Sequence, residues 1–152
     1  MAVRMKNKKA VIVGGGNVAE RKALSLLEAE AKVRVISPVL TKPLTLLAKK
    51  KKISWVKRTF GPGDLEGADI IIAATSDRGV NKRVSALSRK SGKLINVVDD
   101  KALSDFISPA VFTKEKAIVA VYTDGREPEL SRDIKNFLKE HWDDFLSFRN
   151  RS

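Results

Sequence analysis

A short apolar run, Ala10 to Val13, ends in three glycines, and beyond them the apolar residues return at the three-and-four spacing of a helix. The pattern predicts a strand over Ala10 to Val13 and a helix from about Asn17 to Ala29. In that helix Leu24 and Leu27, with Glu20 and Ala23 one turn earlier, form the inward stripe, and Arg21, Lys22 and Glu28 fall outside it. Val33 and Val35 then alternate with Lys32 and Arg34, which predicts a strand from Val33 to Ile36 with one face open to water, stopped by Pro38.

The alternation continues downstream. A short helix from Pro43 to Lys50 takes proline in its first turn, where the missing N–H costs nothing. A strand over Ile53 to Val56 and a loop at Gly61-Pro62-Gly63-Asp64 follow. Asp69 to Ala74 reads as a strand, continuously apolar from Ile70 onward, as a strand buried on both faces of a parallel sheet should be. A helix over Arg78 to Ser91 ends at Gly92, and a strand runs from Leu94 to Val98.

After Asp100 the rhythm changes. Ala110 to Thr113 and Ala117 to Tyr122 flank Lys114-Glu115-Lys116 and read as a hairpin outside the main sheet. From Glu129 to about Phe148, Leu130, Ile134, Leu138, Trp142 and Phe145 recur at near-helical spacing, an apolar stripe for packing on the chain's own domain or on a partner subunit. Strand and helix alternation with right-handed crossovers closes most simply as an α/β domain, a Rossmann-type doubly wound parallel sheet, here followed by a short β hairpin and a C-terminal helix. The expected division is a dinucleotide-binding domain over residues 1–108 and a short dimerisation or substrate-side extension over 109–152.

Composition narrows the function classes. A chain of 152 residues with 43% hydrophobic and 32% charged residues can bury a core as one domain with an appendage. No apolar stretch approaches the roughly 18 residues of a membrane span, and no secretory signal is visible, so the protein is read as cytoplasmic with no membrane partner. The absence of cysteine excludes disulfides and thiolate chemistry. Thirty basic against 18 acidic residues, a formal +12, favours an anionic partner or else a solvated lysine-rich surface such as Lys49 to Lys52. With 6% aromatics and no recognisable motif, nucleic acid is a poor candidate for that partner.

The glycines carry the sharpest chemistry. Gly14-x-Gly16-x-x-Ala19 directly follows a strand and opens a helix, the context in which a turn receives a pyrophosphate on free helix N–H groups. Gly14, Gly15, Gly16, Asn17 and Val18 are therefore candidate cofactor contacts. The acidic residue expected about 20 positions on, to bind a ribose hydroxyl, is missing; Ile36-Ser37-Pro38 stands there, and Ser37 suits either a hydroxyl or a phosphate. Asn96, Asp99 and Asp100 fall at a strand's carboxyl end, where such sheets place ligands; a carboxylate there serves as general base, holds a divalent cation, or caps a turn. The loops Ser104 to Pro109 and Tyr122 to Pro128 line a site or are ordinary turns, and His141 reads as surface or packing.

Taken in order, the runs Val11 to Lys22, Ile72 to Asp77 with Asn81 and Arg83-Val84, Asn96-Val97-Val98-Asp99-Asp100 and Asp105 to Ala110 resemble the precorrin-2 dehydrogenase and sirohydrochlorin ferrochelatase family of siroheme biosynthesis. Gly125 to Arg132 looks like a diverged form of the family's last motif, and the resemblance spans roughly residues 8 to 135. It implies oxidation of precorrin-2 to sirohydrochlorin with NAD as hydride acceptor, and in some members insertion of Fe²⁺. It implies Asp99 as the catalytic residue, and also as the metal contact if the chain is a chelatase, with no other metal ligand. Cofactor contacts are implied at Asn17, Val18, Pro38, Val39 and Thr75, to which Ser37 is added by position. Asp105, Thr123 and Gly125 are the candidate substrate contacts, and a homodimer is expected.

The basic balance then acquires a partner, a tetrapyrrole bearing a ring of carboxylates. Three departures accompany the resemblance. Asp124 and Glu127 stand where the family has a second glycine and a hydroxyl, the helical C-terminal region is shorter, and no methyltransferase region accompanies it, so a trifunctional enzyme is not expected. The competing reading is a non-enzymatic dinucleotide-sensing regulatory domain.

Overall fold

Apolar strands separated by amphipathic helices can bury both faces of one sheet. In the computed structural model, which describes residues 3–98 and 100–150, they do so. Strands β1 (Lys9–Val13), β2 (Lys32–Ile36), β3 (Ser54–Val56), β4 (Ile70–Ala73) and β5 (Leu94–Val97) pair in parallel in the order β3-β2-β1-β4-β5. Val13 is in register with Ile36 on one side and Ala73 on the other, and Ala73 with Val97, so four strands end at one level. The order reverses direction between β1 and β4, which opens a crevice at their carboxyl ends.

One core cluster is built on Ala10, Ile12, Val33, Val35 and Ile72, and the other, on the opposite face, on Val11, Val13, Ile36, Ile71 and Ile95. Ile71 and Ile72 point opposite ways and are both buried, each worth about 2 to 3 kcal/mol.

Helix α1 (Asn17–Glu28) covers the first face through Ala19, Ala23 and Leu26, whose small residues bring helix and strand close. The expected stripe is corrected here: Leu24 is exposed and Leu26 is buried, so the inward face is rotated from the predicted one. Helix α2 (Lys42–Lys49) is capped by Thr41, whose hydroxyl accepts from Leu44 N. Helix α3 (Arg78–Lys90) is capped by the Asp77 carboxylate, which accepts from Gly79 N and Val80 N. Arg34, predicted to face water, is half-buried and donates to the carbonyls of Asp64 and Glu66. The Gly61 to Asp64 loop closes on the Asp64 carboxylate, which accepts two bonds from Arg58 and one from Gly61 N. The Arg58 guanidinium holds that carboxyl below the usual range.

The chain divides into two compact units, Met1–Phe106 and Ile107–Ser152. In the second, β6 (Ala110–Lys114) and β7 (Ala117–Val121) form an antiparallel hairpin against which α4 (Pro128–Glu140) packs. The predicted single terminal helix is two, because His141 leaves helical geometry (φ −97°, ψ 23°) before α5 (Trp142–Arg149). The His141 ring stacks on Phe137, and Trp142 meets Phe112 edge to face with centroids 5.8 Å apart. Trp142 is buried, whereas Leu130, Ile134, Leu138 and Phe145 of the same stripe are exposed. Among the described residues no helix is long and apolar enough to cross a membrane.

Candidate functional site

The crevice between β1 and β4 is bordered by three loops, and the glycine turn sets their spacing. Gly14 has φ +121°, and a Cβ there would lie 2.3 Å from the Ala74 carbonyl oxygen, so only glycine fits. A Cβ on Gly15 would lie 2.1 Å from the Val39 carbonyl oxygen and 2.7 Å from Ser37 Oγ. Gly16 is different. It is exposed, a Cβ there meets nothing within 4 Å, and it caps α1 without any side-chain hydrogen bond. The first N–H groups of α1, at Asn17 and Val18, lack intrahelical partners by position and carry the positive end of the helix dipole. Open space in front of an uncapped helix end is what a diphosphate requires, so the residues present fit a dinucleotide.

Residues Ser37 to Thr41 cross this turn on one side. Ser37 is buried; its N–H donates to Val56 O, and its hydroxyl donates to Val39 O at 2.7 Å. With the proton spent there, Ser37 Oγ retains acceptor capacity only, which suits a hydroxyl donor and not a phosphate. Thr41 N donates to Gly15 O at 3.0 Å, and Trp55 Nε1 donates to Ser37 O at 2.9 Å. Pro38 and Val39 are exposed, so Val39 presents an apolar surface at the loop's outer edge.

On the other side, Thr75 follows β4 with its backbone against Gly14. Asn81, buried in α3, organises it: Asn81 Nδ2 donates to Thr75 O at 3.0 Å, and Asn81 Oδ1 accepts from Thr75 Oγ1 at 2.7 Å. The fold therefore brings Gly14, Gly15, Gly16, Ser37, Val39 and Thr75 to one edge of the sheet.

The end of β5 is built from side-chain bonds. Ser104 Oγ accepts from Val97 N and reaches Asp100 O, both at 2.8 Å, so one hydroxyl holds the chain on both sides of the turn. Asp100 caps that turn, its Oδ1 accepting from Leu103 N. Asn96 is buried and donates to Phe106 O, while its Oδ1 has no protein partner. Ser85 and Arg89 of α3 donate to the carbonyls of Leu103 and Ala102. Asp99, the candidate catalytic residue, lies outside the described residues. Both carboxylate oxygens of Asp105 are engaged: one pairs with Arg89 at 3.0 Å and the other accepts from Ile95 N, two residues before the strand's carboxyl end.

Thr123 and Gly125 belong to the second unit. Thr123 Oγ1 donates to Glu127 O and lies 2.8 Å from Ser131 Oγ, which ties the loop to the first turn of α4. Gly125 has φ +67° and lies against Ile107. Asp124 and Glu127 flank it, with Arg126 at 3.7 Å from the Asp124 carboxylate. Among the described residues no three His, Asp or Glu side chains gather as a metal site. Trp55 emerges as an organising residue that the sequence pattern does not mark, a polar-handled aromatic on a strand being the one hint, whereas Asn81 and Ser104 stand in runs already singled out and here acquire their bonding roles.

A family model described as "Putative NAD(P)-binding" matches residues 1–110. Siroheme synthase 1 of Aeromonas salmonicida is 40% identical over 136 residues, which cover 90% of this chain and 29% of that protein. Siroheme synthase of Nitrosomonas eutropha is 43% identical over 138 residues, with the same coverages. The chain thus spans less than a third of the length of these curated relatives. Among solved structures, SirC, precorrin-2 dehydrogenase, superposes with a TM-score of 0.80 at 26% identity, covering 93% of this chain and 69% of that one.

Proposed function

Because the chain belongs to the NAD(P)-binding family whose model spans residues 1–110, we propose that it is an NAD-dependent dehydrogenase that oxidises precorrin-2 to sirohydrochlorin. The observation that carries this reading is the open, uncapped end of α1 behind Gly16, in a chain similar to siroheme synthases and to a precorrin-2 dehydrogenase. NAD⁺ supplies the acceptor for the two electrons and one proton that leave the substrate.

The chain's own residues divide the remaining tasks. Gly15, Gly16, Asn17 and Val18 present backbone N–H groups to the diphosphate, with Gly14 shaping the turn that carries them. Ser37 accepts from an adenosine-ribose hydroxyl, and Pro38 and Val39 pack on the adenosine. Thr75, held by Asn81, borders the nicotinamide side. Asp99 takes the second proton, which balances the reaction as precorrin-2 and NAD⁺ giving sirohydrochlorin, NADH and H⁺. Thr123 and Gly125 contact the substrate, and the excess of Lys and Arg draws in its carboxylates. Asp105 is left to brace the β5 edge.

The exposed apolar residues of α4 and α5 support a homodimer formed through Ile107–Ser152, and the use of NAD supports a cytoplasmic location. Mixing the protein with precorrin-2 and NAD⁺ should yield sirohydrochlorin and NADH in equal amounts. A folded protein that binds NAD and forms no NADH would leave only the sensing role.

A further inference from the structure

The loop that normally offers a carboxylate to the ribose has none here, yet its main chain is held tightly. Ser37, Pro38 and Val39 are fixed at two ends. At the outer end Ser37 N donates to Val56 O and Trp55 Nε1 donates to Ser37 O, so both backbone groups of Ser37 are bonded to β3. At the inner end Val39 O sits where a Cβ of Gly15 would be, and Thr41 N donates to Gly15 O. Trp55 is half-buried, in register with Val35, and Lys57 Nζ lies over its ring, 5.5 Å from the centroid, which restrains the indole further. Its bond to Ser37 spans 18 residues of sequence and ties this loop to β3 through a side chain.

We propose that Trp55 is a positioning residue for the adenosine half of the dinucleotide site. By holding the Ser37 carbonyl, the indole N–H sets the Ser37-Pro38-Val39 segment at its close approach to Gly15, and so places Ser37 Oγ and the Val39 side chain for the adenosine. The inference rests on the dinucleotide reading above. It assigns the indole no contact with the nicotinamide or with the tetrapyrrole, so its removal affects binding of the adenosine half and not the chemical step.

ADP-ribose and NAD⁺ are the probes. Trp55→Phe keeps the ring and loses the donor; it should raise the Kd of both ligands by the same factor, about five- to tenfold by calorimetry, the worth of one neutral hydrogen bond. The turnover number at saturating NAD⁺ should stay within twofold, and the thermal midpoint should fall by no more than about 4 °C, the loss of one bond. A general loosening of the fold would instead lower the midpoint and the turnover number together. The wild-type protein gives an answer even if the variant does not fold. Its two tryptophans, Trp55 and Trp142, give two indole N–H resonances in a nitrogen-15 spectrum, assigned with Trp142→Phe. Added ADP-ribose should shift the Trp55 resonance. An unmoved Trp55 resonance at saturation, an unchanged Kd in a folded Trp55→Phe, or a loss confined to turnover would each overturn the assignment. A wild-type protein that binds no ADP-ribose would instead refute the dinucleotide reading beneath it.

Discussion

At the end of β1, main chain touches main chain because side chains are missing; at the end of β5, main chain is held in place by side chains that are present. Gly14 and Gly15 leave room for the carbonyls of Ala74 and Val39 at distances no Cβ permits. Ser104, Asp100, Asn96, Ser85 and Arg89 instead tie the segment from Val97 to Phe106 by individual bonds. The first device gives shape without chemistry, as a phosphate cradle needs. The second can be adjusted bond by bond, and in sequence it flanks Asp99, the residue proposed to take a proton. A steric device should fail abruptly, and a bonded one by degrees.

That contrast is broken most easily at Gly14. Gly14→Ala forces a Cβ against Ala74 main chain at a φ that disfavours it, and should cost more than about 3 kcal/mol and abolish NAD binding, read by thermal melting and calorimetry. A variant that melts like wild type would show that the turn can shift.

The Gly61 to Asp64 loop sharpens the second half of the comparison, since it too is held by side-chain bonds. Asp64→Asn should cost about 2 kcal/mol near neutral pH. Because the folded carboxyl titrates below its ordinary value, its contribution is present above about pH 4 and is lost as pH falls through that value toward the folded pKa. The gap between wild type and Asp64→Asn, measured by denaturant melts, should therefore narrow in acid. A gap that widens would contradict the assigned pairing.

Ser104→Ala should cost about 1 to 2 kcal/mol in the same melts and leave the Kd for NAD within twofold, because its bonds lie at β5. Gly16→Ala reverses this. With nothing near its Cβ it should alter stability by no more than about 0.5 kcal/mol, yet weaken NAD about tenfold by filling the space in front of α1.

Much of the first unit is legible in the sequence, and the reasons are local. Continuous apolar runs at Val11 to Val13 and Ile70 to Ala73 mark buried parallel strands, and a glycine triplet between strand and helix marks the turn. The phase of α1 is harder to read because Leu24, Leu26 and Leu27 offer two overlapping stripes; Ala19 and Ala23, small enough to lie on the sheet, decide it. The break at His141 leaves no mark in an apolar stripe that runs through it. The loop Ser104 to Pro109 reads in sequence more readily as an ordinary turn than as a site, since the bonds of Ser104 and Asp105 to backbone groups seven and ten residues away leave no local mark. Trp55 is hidden for the same reason: its role is a bond to the Ser37 carbonyl, which no side-chain pattern encodes, while Asn81 is visible as a member of a matching run but its bonds to Thr75 are not.

A carboxylate at position 99 is proposed to act beside a dinucleotide held by the glycine turn. NADH formation from precorrin-2 and saturating NAD⁺ should be readily measured for the wild-type protein and fall at least about a hundredfold in Asp99→Ala, with NAD binding unchanged. Undiminished NADH formation by Asp99→Ala would contradict it.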